Sequence, residues 1–273
     1  MKKYIESLQE LWNKNLANKV GQSSDTYDDY KVDLSLYTTP DMLNDQHIIP
    51  AIAELMKGLR DDSVSYVGGA WSKAGNIIDE MLRQIISGRK LDYSDMIMLG
   101  EKPILISDVM SEDIFESFLE QANDLNEWFA KNKLVPVTDR ILLHTTLRNG
   151  HNVAGETDLI AIDENGNLVI FDFKTSKYDF DESYDKTYNN SKWSTKRQHS
   201  RQLTGYQNLA QEEFKHKYPI KRRIIIPFVI QYNSTDNVFD SFISIQRQEM
   251  KELQLDEELN KELNTPADIN AIK

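Results

Sequence analysis

No cysteine occurs among the 273 residues. That excludes a thiol nucleophile, a disulfide, cysteine-ligated zinc and an iron–sulfur cluster. No apolar run approaches the ~18–20 residues that a membrane-spanning helix needs. The start, Met1-Lys2-Lys3-Tyr4, has no continuous apolar region behind its basic pair, so it does not read as a signal peptide and a cytoplasmic chain is expected. No Walker A or G-x-G-x-x-G sequence is present, so nucleotide hydrolysis is not encoded, and any helicase or ATPase activity must come from a partner. The five histidines (His47, His144, His151, His199 and His216) are scattered and form no H-E-x-x-H pattern. Positive charge is also scarce: 32 Lys and Arg stand against 44 Asp and Glu, a net of −12. Taken alone, that balance argues against nucleic-acid binding, since phosphate affinity comes mainly from Lys and Arg.

What is present suits one large domain, or a domain with a helical appendage. The length supports a hydrophobic core without staples. Apolar spacing predicts helices over 3–18 and 48–60, with a polar loop over 20–45. Further helices are expected from Ala70 to Ser87, with Gly88 as the stop, and from Ser111 to Asn132. The period then changes. Strands are expected over 135–148, 151–163 and 168–174, separated by Arg148-Asn149-Gly150 and by the tight turn Glu164-Asn165-Gly166-Asn167. A helix over 196–217 and strands over 223–232 and 238–246 follow, ahead of a charged tail.

The chemistry concentrates in Gly155-Glu156-Thr157-Asp158 and in Phe171-Asp172-Phe173-Lys174-Thr175. Alternate residues of a strand share a face, so Asp172 and Lys174 point one way and Phe171 and Phe173 the other. Both strands are apolar on both faces, as central strands are. A carboxylate there is costly unless something pairs with it. Strands joined by a tight turn can bring Asp158 and Asp172 together with Lys174 beside them. Two carboxylates in one partly buried site suit a hard divalent cation such as Mg²⁺. The same residues also fit a surface ion pair on an edge strand. Gln202 and Tyr206, four apart, lie on one face of the following helix, with Gly205 beside them.

Together, Gly155-x-x-Asp158, Asp172-x-Lys174-Thr175 and Gln202-x-x-x-Tyr206 resemble, in type and order, the PD-(D/E)XK nuclease superfamily and specifically its RecB-like exonuclease branch. The resemblance covers roughly residues 70–232. It implies an α/β fold with a restriction-endonuclease-like core, a mixed central sheet flanked by helices in the order α-β-β-β-α-β, with an N-terminal helical part. It implies an exonuclease that hydrolyses DNA phosphodiester bonds with a metal-activated water. Mg²⁺ is the expected cofactor, with Mn²⁺ as a substitute. The setting would be recombination, repair or phage DNA processing, with a helicase or recombination protein as partner. By resemblance, Asp158, Asp172 and the Phe173 carbonyl bind the metal and Lys174 positions the water. Gln202 and Tyr206 then support the lysine, the water or a phosphate. Relatives often place a histidine four residues after an early-helix glycine. Here Gly75 is followed by Asp79 as the candidate extra ligand, with Glu80 second, and solvated helix acids are the equal alternative. The other readings are an endonuclease of the same fold and a DNA-binding module without catalysis.

Residues 186–223 hold ten Lys or Arg against only Glu212 and Glu213, with Tyr188, Trp193 and Tyr206 interleaved. A solvated charged face would explain an isolated run. Beside the carboxylates, a phosphate-tracking surface is expected instead, made by Lys192, Trp193, Lys196, Arg197 and Arg201. The expected division is an N-terminal helical region over 1–69, a nuclease core over 70–247 and a charged tail over 248–273.

Overall fold

The computed structural model describes residues 70–99, 102–146, 152–186, 194–214, 216–235 and 238–266. The expected N-terminal helices and the Arg148-Asn149-Gly150 turn lie outside the described residues.

Helix α1 (Ala70–Ile86) buries Ala74, Ile77, Ile78, Met81, Leu82 and Ile85, an apolar stripe at three- and four-residue spacing. It stops at Gly88, whose φ of 91° places it in the left-handed region while its N–H bonds back to Ile85. A hairpin of β1 (Met96–Leu99) and β2 (Lys102–Leu105) follows, then the short α2 (Ile106–Val109). None of these was expected from the sequence. Each is only four residues long, too short for periodicity to register. Helix α3 (Glu112–Lys131) buries Phe115, Phe118, Ala122, Leu125 and Phe129.

Strands β3 (Val135–Thr146), β4 (Asn152–Ile162) and β5 (Leu168–Ser176) then form a meander. The β4–β5 turn is built as its composition predicts. The Asp163 carboxylate accepts the N–H groups of Asn165 and Asn167, and Gly166 has φ 82°. Helix α4 (Thr195–Glu213) carries the chain across to β6 (Ile220–Thr235), which pairs parallel with β5. Strand β7 (Val238–Arg247) continues the sheet, so the order is β3-β4-β5-β6-β7, antiparallel apart from β5–β6. The mixed α/β architecture and the run α3-β3-β4-β5-α4-β6 match the expected order.

Period-two alternation divides the core. Leu159, Ala161, Val169 and Phe171 pack towards α1 and α3, while Ile160, Ile162, Leu168 and Ile170 pack towards α4. Phe171 meets Phe129 edge-on at 5.1 Å, and burying such a ring contributes about 2–3 kcal/mol.

The described part of the segment set apart as a charged tail, residues 248–266, packs into the same body. Strand β8 (Lys251–Glu252) pairs with β6, and helix α5 (Glu257–Asn264) buries Leu259 and Leu263 against the α4 side. Asp256 caps α5 by accepting the Leu259 N–H at 2.9 Å. Charge disguised this segment in the sequence, because only a few leucines anchor it. No described helix is long and apolar enough to cross a membrane.

Candidate active site

Strands β4 and β5 pair only from Leu159↔Phe171 to Ile162↔Leu168. Beyond Leu159, β4 stays on β3 as far as Asn152, while β5 stays on β6 to Ser176. The two central strands therefore part at Asp158 and Asp172. There a side chain replaces the ladder: the Phe173 N–H donates to Asp158 Oδ2 at 2.6 Å. Asp172 and Lys174 share the face of Leu168 and Ile170, which is covered by Leu203, Tyr206 and Leu209 of α4. Asp172 is only 2 % exposed and forms an ion pair with Lys174.

Electrostatics tie these groups together. Burial pushes the Asp158 carboxyl well above the ordinary carboxylate range, and the nearby charges of Asp172 and Asp79 add to that. Lys174 and the Phe173 N–H oppose it without cancelling it. Burial works to lower the Lys174 ammonium, but Asp172, Asp158 and Asp79 outweigh burial and hold it above its usual value. Three carboxylates thus bear on one ammonium. Arg83, 4 % exposed, compensates one of them, donating to Asp79 at 2.5 Å and lying 3.6 Å from Glu80.

Two motif glycines explain how helices reach this point. A Cβ on Gly155 would lie 2.7 Å from the Tyr206 ring, so only glycine lets α4 seat Tyr206 against β4. Tyr206 in turn accepts a hydrogen bond from Gln202 Nε2 at 2.8 Å. A Cβ on Gly75 would lie 2.8 Å from Thr175 Oγ1, so α1 can press on the end of β5 and bring Asp79 into the field of Asp158.

The donor set is entirely oxygen and carries excess negative charge, which fits a hard divalent cation. Among the described residues no group of three His, Asp or Glu side chains forms a complete cage. Asp158 and Asp172 are therefore the side-chain pair available, and Mg²⁺ commonly completes such a set with water and substrate oxygens. Asp79 contributes charge, but it is held by Arg83.

The structure describes three of the five residues expected to track phosphate. Lys192 and Trp193 lie outside the described residues. Lys196 pairs with Asp185 at 2.9 Å, and Arg197 with Asp256 at 3.2 Å and Glu258 at 2.7 Å. Arg201 is buried and 3.2 Å from Asp256. Arg197 and Arg201 thus pair with acids of the C-terminal segment. Farther along the run, Arg222 pairs with Glu252 at 2.9 Å. Sequence reasoning also missed a pair beside the site. Tyr184 Oη lies 2.8 Å from His199 Nδ1. The available signal was spacing, since His199, Gln202 and Tyr206 make one stripe along α4.

Asp158 gives a testable stability effect. Its folded-state pKa is raised, so the folded protein holds that proton more tightly than the unfolded chain does. Stability is therefore greatest with the proton on and falls as pH rises through the folded-state value. At pH 8 in EDTA, Asp158→Asn should melt higher than wild type, because it removes a buried carboxyl that burial and the neighbouring charges hold away from ionisation. The difference should shrink towards acid pH. Calorimetry checks this, and a variant that melts lower at pH 8 contradicts it.

Comparison with known families gives one match over most of the chain. The model of the PD-(D/E)XK nuclease superfamily matches residues 61–268. No curated protein matches. Among solved structures, the crystal structure of SSO0001 is similar over 54% of this chain and 57% of that chain, at 16% sequence identity and a TM-score of 0.28.

Proposed function

Because the chain belongs to the PD-(D/E)XK nuclease superfamily, whose members use divalent ions, typically Mg²⁺ or Mn²⁺, we propose that it is a DNA exonuclease of the RecB-like branch. Its setting is recombination, repair or phage DNA processing, in the cytoplasm, with a helicase or recombination protein as partner. One observation carries the reading: Asp158, Asp172 and Lys174 meet where two central strands part, beneath the helix bearing Gln202 and Tyr206.

In this mechanism Asp158, Asp172 and the Phe173 carbonyl would hold the cation. When bound, the cation acidifies the attacking water and offsets charge on the phosphate oxygens. Lys174 Nζ orients that water. Its ammonium is stabilised by Asp172 and Asp158 against the effect of burial. With those carboxylates engaged elsewhere, burial would favour release of the Lys174 proton to solvent, and the neutral Nζ would then accept the proton of the attacking water. Gln202 and Tyr206, already hydrogen-bonded to each other, present a fixed amide and phenol to the lysine or the phosphate.

The test is a pair of substrates. With Mg²⁺, end-labelled linear DNA is degraded and closed circular DNA stays intact, while EDTA stops both reactions. Nicking of closed circles would turn the assignment to an endonuclease. Absence of cleavage with Mg²⁺ and with Mn²⁺ would overturn the enzymatic reading.

A further inference from the structure

The connection from β5 to α4 leaves the C-terminal end of β5, the edge at which parallel α/β units place their ligands. Within it, a 3₁₀ turn (Glu182–Asp185) carries Tyr184, which is 8 % exposed. The ring is clamped between Phe180, at 5.3 Å between centroids, and His199, at 5.6 Å. Its hydroxyl meets His199 Nδ1 at 2.8 Å. A phenol oxygen bonded to one ring nitrogen keeps capacity for a second hydrogen bond. The charge of Asp172 also reaches this phenol: burial first, then Asp172 and Asp185, keep its proton on. His199 stands on the same α4 stripe as Gln202 and Tyr206. The pair therefore prolongs that stripe by one turn, towards the end of β5.

We propose that Tyr184 is a further substrate-contacting residue of this site, its hydroxyl donating to a DNA phosphate oxygen while His199 acts as the positioning residue that aims it. In the tautomer that carries its proton on Nδ1, His199 donates to Tyr184 Oη and leaves the phenol proton directed to the phosphate; the opposite tautomer reverses the bond. A protonated phenol suits this place. It supplies a donor within the field of Asp172 without adding a cation that the carboxylate would capture as an ion pair. The inference rests on the nuclease reading above.

The test compares variants of the full chain on end-labelled linear DNA with Mg²⁺. Tyr184→Phe keeps the ring and removes the donor. It should lower kcat/KM about 10- to 100-fold, the range of a hydrogen bond to a charged group, with little change in melting temperature. His199→Ala should fall in the same direction. His199→Asn, whose amide N–H can replace Nδ1–H, should recover much of the loss, whereas His199→Gln should not. A neutral methylphosphonate at the contacted phosphate should slow wild type and leave Tyr184→Phe nearly indifferent. If Tyr184→Phe cleaves like wild type, or both respond equally to every methylphosphonate position, the inference is overturned and the nuclease reading stands. An inactive wild-type protein overturns both.

Discussion

Asp172→Asn is expected to abolish DNA hydrolysis, by about 10³-fold or more, while the protein remains folded. The magnitude follows from the several kcal/mol of charge stabilisation that a catalytic cation supplies, at tenfold in rate for each 1.36 kcal/mol. Folding survives because two effects oppose each other. The amide removes the partner that Lys174 has in the ion pair, and it also removes a like charge bearing on Asp158. The distinguishing measurement is the melting temperature with and without Mg²⁺. Wild type should gain stability with the cation through ordinary binding linkage, and Asp172→Asn should gain little. A variant that still cleaves at a tenth of the wild-type rate would remove Asp172 from the proposed ligand pair.

Lys174→Ala should be nearly as damaging to turnover, by about 10²–10⁴-fold, the usual contribution of a positioned proton-transfer group. Its cation response should differ, because both carboxylates remain and one competing ammonium has gone. Mg²⁺ should therefore stabilise Lys174→Ala at least as strongly as wild type. Lys174→Arg separates the proton-accepting role from a purely electrostatic one. Arginine keeps the positive charge but does not release a proton in proteins, so it should fail to restore turnover. Recovery with arginine to within a few-fold of wild type would show that charge alone suffices.

The two variants separate roles that the sequence presents as one motif. Period-two alternation makes it legible that Asp172 and Lys174 share a face, and the Asn165-Gly166 turn makes β4 and β5 neighbours. The purpose of Gly155 is not legible in that way. It is defined by a ring 51 positions later, and nothing local to a strand announces such an approach. The partners of the basic run are not legible locally for the same reason. Local composition reports ten cations, but the acids that take up Arg197 and Arg201 are Asp256 and Glu258, more than 50 positions away. Those acids sit in a segment whose own charge makes it look detached. Short elements form a third class. The Met96–Leu99 strand exposes Met96 and Met98 and buries Ile97, and four residues are too few for alternation to stand out.

The parting of β4 and β5 also has a mechanical meaning. Each strand is clamped from outside, β4 by β3 and β5 by β6, so the mouth between Asp158 and Asp172 works as a jaw whose hinges are main-chain hydrogen bonds. Neither strand can shift at that mouth without breaking one of those ladders, so the main chain fixes the spacing from which the two side chains start.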